Sequence, residues 1–383
     1  MKRRASTAPA VLRIEITRGP RHPPSAVGVI VTRVLLGLHC ARVVAPANGE
    51  AVTVRVAENH WYPLLESREV RRKPLGVERL GRRFVFWRSA DGTLHAHVDR
   101  CPHLGAALSS GTVQGDELVC PFHGFRYGGD GQCRHIPAIG RAGRIPRGMA
   151  VQGFPVREAQ GLVWLWWGDP AQVRDALPLF PQLEGTWHHY TIAVDWPVHY
   201  TRAIENQLDV AHLPFVHRTT IGAGGRSRVE GPYVEADATH IRVWVTNSVD
   251  DGLAPRDQAQ LAAAAAGHEP GLDFQFPGVW LLNISATFKN FIAFVPINER
   301  CTRYYLRSYF RFGPAWLARP FGWLISLSNR YILGQDHRVV VTQTPAASPD
   351  ATQDRLVGAD RAIAQYRRFH AQLLGDPPAD NGE

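Results

Sequence analysis

No stretch of this 383-residue chain reaches the roughly 18 to 20 consecutive apolar residues that a membrane-spanning helix needs. Val27–Val44 is broken by Arg33, His39 and Arg42, and Trp316–Leu327 by Arg319 and Pro320. Cysteine is scarce and odd in number (Cys40, Cys101, Cys120, Cys133, Cys301), which argues against a secreted disulfide framework. There is no G-x-G-x-x-G, no phosphate-binding loop and no plant-type ferredoxin cysteine spacing, so the chain has no means of its own to use a nicotinamide nucleotide. Acid is nearly absent from the front: residues 1–50 hold eight Lys/Arg against Glu15 and Glu50, or +6 of the formal +9. The remaining body is close to neutral, which argues against a nucleic-acid partner. Arg3-Arg4 hints at a twin-arginine leader, yet the apolar run begins more than 20 residues later and no clean A-x-A site follows, so a cytoplasmic protein is expected.

Residues 1–50 carry no sustained period and read as a disordered or spurious N-terminal extension. From Thr53 short apolar runs alternate with Gly/Asp turns: His60–Leu64, Arg83–Arg88, Leu94–Val98 and Leu162–Trp167. Gly168-Asp169-Pro170 is a natural edge, giving an all-β domain over 51–170. The part from 171 to 383 is mixed. A helix is expected over Tyr200–Val216, strands over Ile241–Thr246, Val279–Ile284, Phe288–Pro296 and Tyr304–Phe312, and two late helices over Phe321–Thr342 and Gln353–Leu374. Asp250–Gly271 reads as a solvated loop with one helical turn. The whole is α+β.

Two constellations carry chemistry. Cys101-Pro102-His103 and, after a sixteen-residue gap, Cys120-Pro121-Phe122-His123 give C-x-H and C-x-x-H. Two thiolates and two imidazoles are the ligand set of a Rieske [2Fe–2S] cluster, in which two His replace two Cys on one iron. A zinc site can also take Cys₂His₂, but its familiar spacings pair Cys with Cys and His with His, and here each pair is mixed. Gly105 and Gly124 trail the pairs and suit tight loops that bring backbone N–H groups toward sulfur. Cys133 reads as a free buried thiol.

Further on, Glu205-Asn206-Gln207-Leu208-Asp209-Val210-Ala211-His212-Leu213-Pro214-Phe215-Val216-His217 contains D-x-x-H-x-x-x-x-H. On a helix Asp209 and His212 share a face, with His217 following after Pro214 loosens the helix. Two imidazoles plus a carboxylate make the facial triad of non-heme Fe(II) oxygenases, which leaves positions open for O₂ and substrate.

With both motifs in this order, the chain resembles the terminal oxygenase component (α subunit) of the Rieske non-heme iron oxygenases over roughly residues 55–375. The shorter monooxygenase or demethylase branch is the nearer likeness. The resemblance implies a Rieske [2Fe–2S] domain over 51–170, followed by a helix-grip (START/Bet v1-like) catalytic domain over 171–383. Relatives in respiratory complexes clamp the cluster with a disulfide between its two loops; Ala106 and Phe122 stand at the matching places, so that clamp is absent. His212 and His217 match the iron-binding histidines, and Asp209 the aspartate bridging to a cluster histidine of a neighbouring subunit. Asn206 matches a polar residue beside the iron. Gly334-Gln335-Asp336-His337 resembles the late segment that supplies the third ligand, which makes Asp336 the choice over Asp350, Asp354 and Asp360, with His337 facing away.

The resemblance further implies electrons from a ferredoxin or NAD(P)H-dependent reductase, an apolar or aromatic small substrate, and a homotrimer closed head to tail. Trp244, Phe276, Trp280, Leu282, Phe288, Phe291 and Phe294 are candidates to line the substrate space, each of them equally a core residue. Arg68, Arg71, Arg72, Lys73, Arg82 and Arg83 offer a basic patch to an acidic donor. Two other readings stand beside this one: an electron-transfer Rieske protein with an inert second domain, and a lipid- or sterol-binding carrier.

Overall fold

The computed structural model describes residues 54–376 apart from Pro255, so the N-terminal extension lies outside the described residues. These residues form two compact units: one of 54–178 with 295–302, the other of 179–294 with 303–376.

The first unit is three small sheets. β1 (His60–Glu66), β11 (Leu162–Trp167) and β10 (Val156–Ala159) make one; β2 (Leu75–Arg79), β3 (Arg82–Arg88), β4 (Leu94–Val98) and β9 (Gly153–Phe154) make the second. Phe84–Trp87 of β3 and Leu162–Trp166 of β11 are buried without alternation, because both faces of these strands are covered. The buried indoles keep their N–H satisfied, Trp164 by the Ala159 carbonyl and Trp166 by that of Asp169. The third sheet, β5 (Thr112–Gln114), β6 (Glu117–Val119), β7 (Arg126–Tyr127) and β8 (Cys133–His135), carries the cysteine–histidine loops. One lies before β5 and the other joins β6 to β7.

The second unit is a seven-stranded sheet with helices. Its strands are β12 (His188–Trp196), β13 (Arg228–Ala236), β14 (His240–Ser248), β15 (Leu272–Gln275), β16 (Val279–Ser285), β17 (Phe288–Asn298) and β18 (Cys301–Phe310), in the order β12-β18-β17-β16-β15-β14-β13. Pairing is antiparallel through β13–β17. The long helix α4 (Ala315–Val340) packs on β12, while α1 (Tyr200–Leu208) packs against both α4 and the last helix, α5 (Arg361–Leu374). Gly322, Ser326, Asn329, Leu333, Asp336 and Val340 form the buried row of α4, at the alternating three- and four-residue spacing of one helical face.

Several elements depart from expectation. The helix expected over Tyr200–Val216 stops at Leu208; Asp209 is extended (φ −68°, ψ 128°), and a four-residue α2 (Leu213–Val216) follows. The Asp209 carboxylate takes the backbone N–H of Ala211 at 2.7 Å and of His212 at 3.3 Å, offering the chain a turn in place of the helix. Pro214 then disfavours helix immediately before it. Helix α4 begins at Ala315 rather than Phe321 and holds Pro320 inside. Helix α5 begins at Arg361 rather than Gln353, because Asp354 is held outside it by Arg202 at 3.0 Å and Arg367 at 2.7 Å. The loop after Asp250 contains α3 (Gln258–Ala265), started by a capping box between Asp257 and Gln260.

Candidate metal centres

The two cysteine–histidine loops are built alike. The Cys101 N–H donates to Ala106 and the Cys101 carbonyl accepts from Gly105, at 2.8 and 2.9 Å; Cys120 does the same with Phe125 and Gly124, at 2.8 and 3.1 Å. Each loop closes on itself within six residues, which requires the left-handed backbone of Gly105 (φ 77°) and Gly124 (φ 71°). Cys101 and Cys120 are 1% and 2% exposed, within a core that includes Val85, Trp87, Leu108, Leu118 and Phe125. His103 is half-buried and His123 exposed, with ring centroids 4.8 Å apart. Buried sulfurs with imidazoles nearer the surface fit the two-Cys, two-His donor set that would hold a [2Fe–2S] group. Burial and the adjacent Cys101 push the Cys120 thiol up, a cost that metal coordination removes. Tyr127, which the motif does not announce, puts its hydroxyl 3.1 Å from Cys101 Sγ. Cys133 is a half-buried free thiol, not fully buried, with Sγ 3.6 Å from the His135 carbonyl.

The second constellation gathers His212, His217 and Asp336, one ligand atom of each lying within 4.8 Å of the others. Nε2 of His217 is 3.0 Å and Nε2 of His212 3.5 Å from Asp336 Oδ1. The turn after α1 presents the histidines: Trp280 donates to the Gln207 carbonyl at 3.1 Å and Asn247 to that of Val210 at 3.3 Å, so the sheet takes up acceptors where the helix ends. Asp336 comes from the buried row of α4 and is 2% exposed.

Hydrogen bonding defines what this pocket wants. Gln335 Oε1 accepts from His217 Nδ1 at 2.9 Å and from the Thr220 hydroxyl at 3.0 Å, while its amide N–H reaches Thr219 at 3.4 Å. An amide oxygen cannot donate, so Nδ1 carries the ring proton and the Nε2 lone pair faces Asp336. Asp336 Oδ1 is buried without a hydrogen-bond donor. Lone pairs and a carboxylate turned toward one point suit a small cation. Burial opposes charge on His217, but Asp336 outweighs it and raises the ring's hold on a second proton, which stands where a metal would.

Asp209 lies behind His212, its Oδ2 3.5 Å from Nδ1. Burial would raise this carboxyl, yet the His212 ring and the N–H groups of Ala211 and His212 hold it below the usual range. Asp209, His212, Asn206 and Asp360 line a cavity of about 420 Å³. Asn206 does not join the three-residue cluster, and its amide oxygen accepts from Gln207 at 2.8 Å. Of the rivals to Asp336, Asp350 is exposed and Asp354 is occupied by the two arginines. His337 turns aside against Trp196, ring centroids 5.5 Å apart.

The aromatic residues offered as substrate lining do not line this cavity. Phe276 stacks on Tyr366 at 5.9 Å, Phe294 meets Tyr304 at 5.1 Å and Phe291 meets Phe180 at 6.1 Å, all edge or face packing within the core. At the second centre the residue that the motif left unseen is Gln335. Its place beside Asp336 is visible in the sequence, but its turn toward His217 depends on α4 packing beside α2.

Residues 60–155 match the family described as Rieske [2Fe-2S] domain, and residues 196–376 match the vanillate O-demethylase oxygenase C-terminal domain. Together they take in every candidate ligand. The chain belongs to the Rieske non-heme iron oxygenases. Among its relatives, a 4beta-methylsterol monooxygenase of Methylococcus capsulatus is 29% identical over 357 residues, covering 85% of this chain and 90% of that protein. The dicamba O-demethylase oxygenase component of Stenotrophomonas maltophilia is 34% identical over 187 residues, 47% of this chain and 53% of that one. The crystal structure of dicamba monooxygenase bound to dicamba shares the fold, with a TM-score of 0.64 at 23% identity over 83% of this chain and 97% of that one. As a Rieske oxygenase the protein is an oxidoreductase that uses a [2Fe–2S] cluster and a mononuclear iron. It takes electrons from a reductase or ferredoxin and acts on a small substrate.

Proposed function

We propose that Cys101, His103, Cys120 and His123 hold the cluster, that His212, His217 and Asp336 hold the catalytic iron, and that the enzyme hydroxylates or demethylates an apolar or aromatic small molecule. The observation that carries the second assignment is the buried Asp336 oxygen, donorless and facing two imidazole nitrogens. When bound, the metal centres supply one-electron transfer and the reduction of O₂. The chain supplies the rest. Gln335 fixes the tautomer of His217, Asp209 orients His212 from behind, and burial of His217 and Asp336 keeps water from the cation they surround. The substrate class is supported by the relatives, whose names speak of a methylsterol and of dicamba.

We place the enzyme in the cytoplasm as a homotrimer, in which the cavity beside Asp209 receives a cluster histidine from a neighbouring copy. Within the basic patch suggested for the donor, Arg68 is held by Glu66 at 2.6 Å, Arg83 by Asp99 at 2.9 Å, and Arg82 by Gln152 at 2.7 Å. Arg71, Arg72 and Lys73 are its exposed cations without a carboxylate partner among the described residues. Arg141, Arg144 and Arg147 form a second exposed group in the same unit. The reading is tested by supplying a surrogate ferredoxin and reductase and screening apolar compounds for O₂ uptake matched by a hydroxylated or demethylated product. Cluster reduction without oxygen uptake or product, across sterols and substituted arenes, would leave only an electron carrier.

A further inference from the structure

The outward side of α4 breaks the rule that a surface helix turns polar residues to water. Trp316 is 75% exposed, Trp323 56%, Leu324 60%, Tyr331 43%, Leu317 40% and Leu327 39%. They fall on two adjacent rows opposite the buried one, along about 22 Å of helix. Together they bare on the order of 600 Å², at the top of the range for the largest apolar patch on a soluble monomer. Six indoles elsewhere (Trp61, Trp87, Trp164, Trp166, Trp244 and Trp280) donate to protein acceptors. Trp187 and Trp196 lack such a partner with their N–H groups buried, whereas among the described residues Trp316 and Trp323 lack one on an exposed face.

Charge narrows what can cover this face. From Arg300 through Gln335 the sequence has six arginines and no Asp or Glu. Arg319, exposed on the helix, and half-buried Arg330 have no carboxylate partner among the described residues. A second copy meeting this face with the same face, about a two-fold axis, would set arginine against arginine with no acid to offset them. The chain's own first 50 residues, at +6, are repelled in the same way. Apolar rings with wet polar tips, flanked by unpaired arginines, match the interface of an anionic lipid leaflet. No helix of the described residues is long and apolar enough to cross a membrane, so the contact is with its surface.

We propose that the N-terminal half of α4 is a membrane-surface anchor, lying in the headgroup region of an anionic phospholipid leaflet with Trp316 and Trp323 inserted. A chain so seated can take an apolar substrate from the leaflet instead of from water, though the binding itself does not rest on the oxygenase reading. The test uses the full-length holoenzyme and sedimentation with phosphatidylcholine vesicles, with and without phosphatidylglycerol. Binding is expected to the anionic vesicles, weakening with salt, and to fall roughly tenfold or more in the Trp316→Glu/Trp323→Glu double variant. The variant's visible cluster spectrum and particle mass by light scattering should match the parent's. Hydrogen exchange should slow on vesicle addition in peptides spanning residues 313–332. No sedimentation with anionic vesicles overturns the proposal, as does sedimentation that the double variant leaves unchanged. A double variant of lower particle mass also overturns it, by assigning the face to a second copy.

Discussion

The two proposed metal centres of this chain are built in opposite ways. Each cluster loop closes on its own backbone within six residues, and its ligands sit two or three positions apart. The iron pocket joins a turn after α1 to the far half of α4 and depends on the sheet, through Trp280 and Asn247, to hold that turn. The first centre is a local device that a short segment can specify. The second exists only when distant elements pack, so its partners are spread over residues that share no motif. The outer contacts differ also: a charged Asp209 backs His212, while a neutral Gln335 backs His217.

This independence predicts the largest effects. Replacing Cys120 with Ser should abolish the visible cluster absorption yet leave one iron per chain in the other unit. Replacing Asp336 with Ala should do the reverse, keeping the absorption and losing the single iron. Iron analysis with absorption spectra checks both, and loss of both centres from either change would break the separation.

Asp209→Asn sharpens the contrast between the two histidines. It should leave iron content near the parent's while turnover falls by roughly 100-fold or more, if the aspartate acts as proposed, from behind His212 and not as a ligand. Equal loss of iron and turnover would make it a ligand in practice. Gln335→Ala should instead weaken Fe(II) retention by roughly 10- to 100-fold, measured by competition with a chelator, with the cluster spectrum unmoved. Gln335→Glu keeps the acceptor for His217 and should recover most of that retention. Equal retention in Ala and parent would reduce Gln335 to packing.

The smallest effect lies in the scaffold of the iron pocket. His199 caps α1 by accepting the Thr201 N–H at 3.3 Å, which only an unprotonated Nδ1 can do. Burial first, and the nearby Arg202 charge after it, outweigh Asp350 and lower this histidine to about 4. The unfolded chain binds the proton more readily, so the stabilisation is complete above about pH 6.5 and is lost as pH falls toward 4. Between pH 7 and pH 5 the second unit should lose about 2 kcal/mol from this group, and His199→Asn, which keeps a cap, should flatten that slope in urea titrations followed across pH. An unchanged slope would remove His199 from the account.

The same contrast explains what the sequence reveals. Both cluster loops, the paired histidines and the all-β character of the first unit are legible because local spacing and turn residues encode them. Asp336 is reached through resemblance alone, since nothing in G-Q-D-H separates it from Asp354 until Arg202 and Arg367 are seen to claim the latter. The end of α1 is missed because the pattern of apolar residues runs on through Val216, while Asp209 spends its carboxylate on two backbone N–H groups. Aromatic strands suggest a substrate wall equally well as a core, and Phe276, Phe291 and Phe294 are held by other rings. The exposed tryptophans of α4 are invisible to periodicity, which registers apolar residues without telling inside from outside.

If one chain carries two separate iron centres, one in each unit, removing one must spare the other. The direct measurement is iron and acid-labile sulfide per chain in the purified parent and in Asp336→Ala. Three iron and two sulfide are expected in the parent, and two iron with two sulfide in the variant. Two iron in the parent, or three retained in the variant, would contradict it.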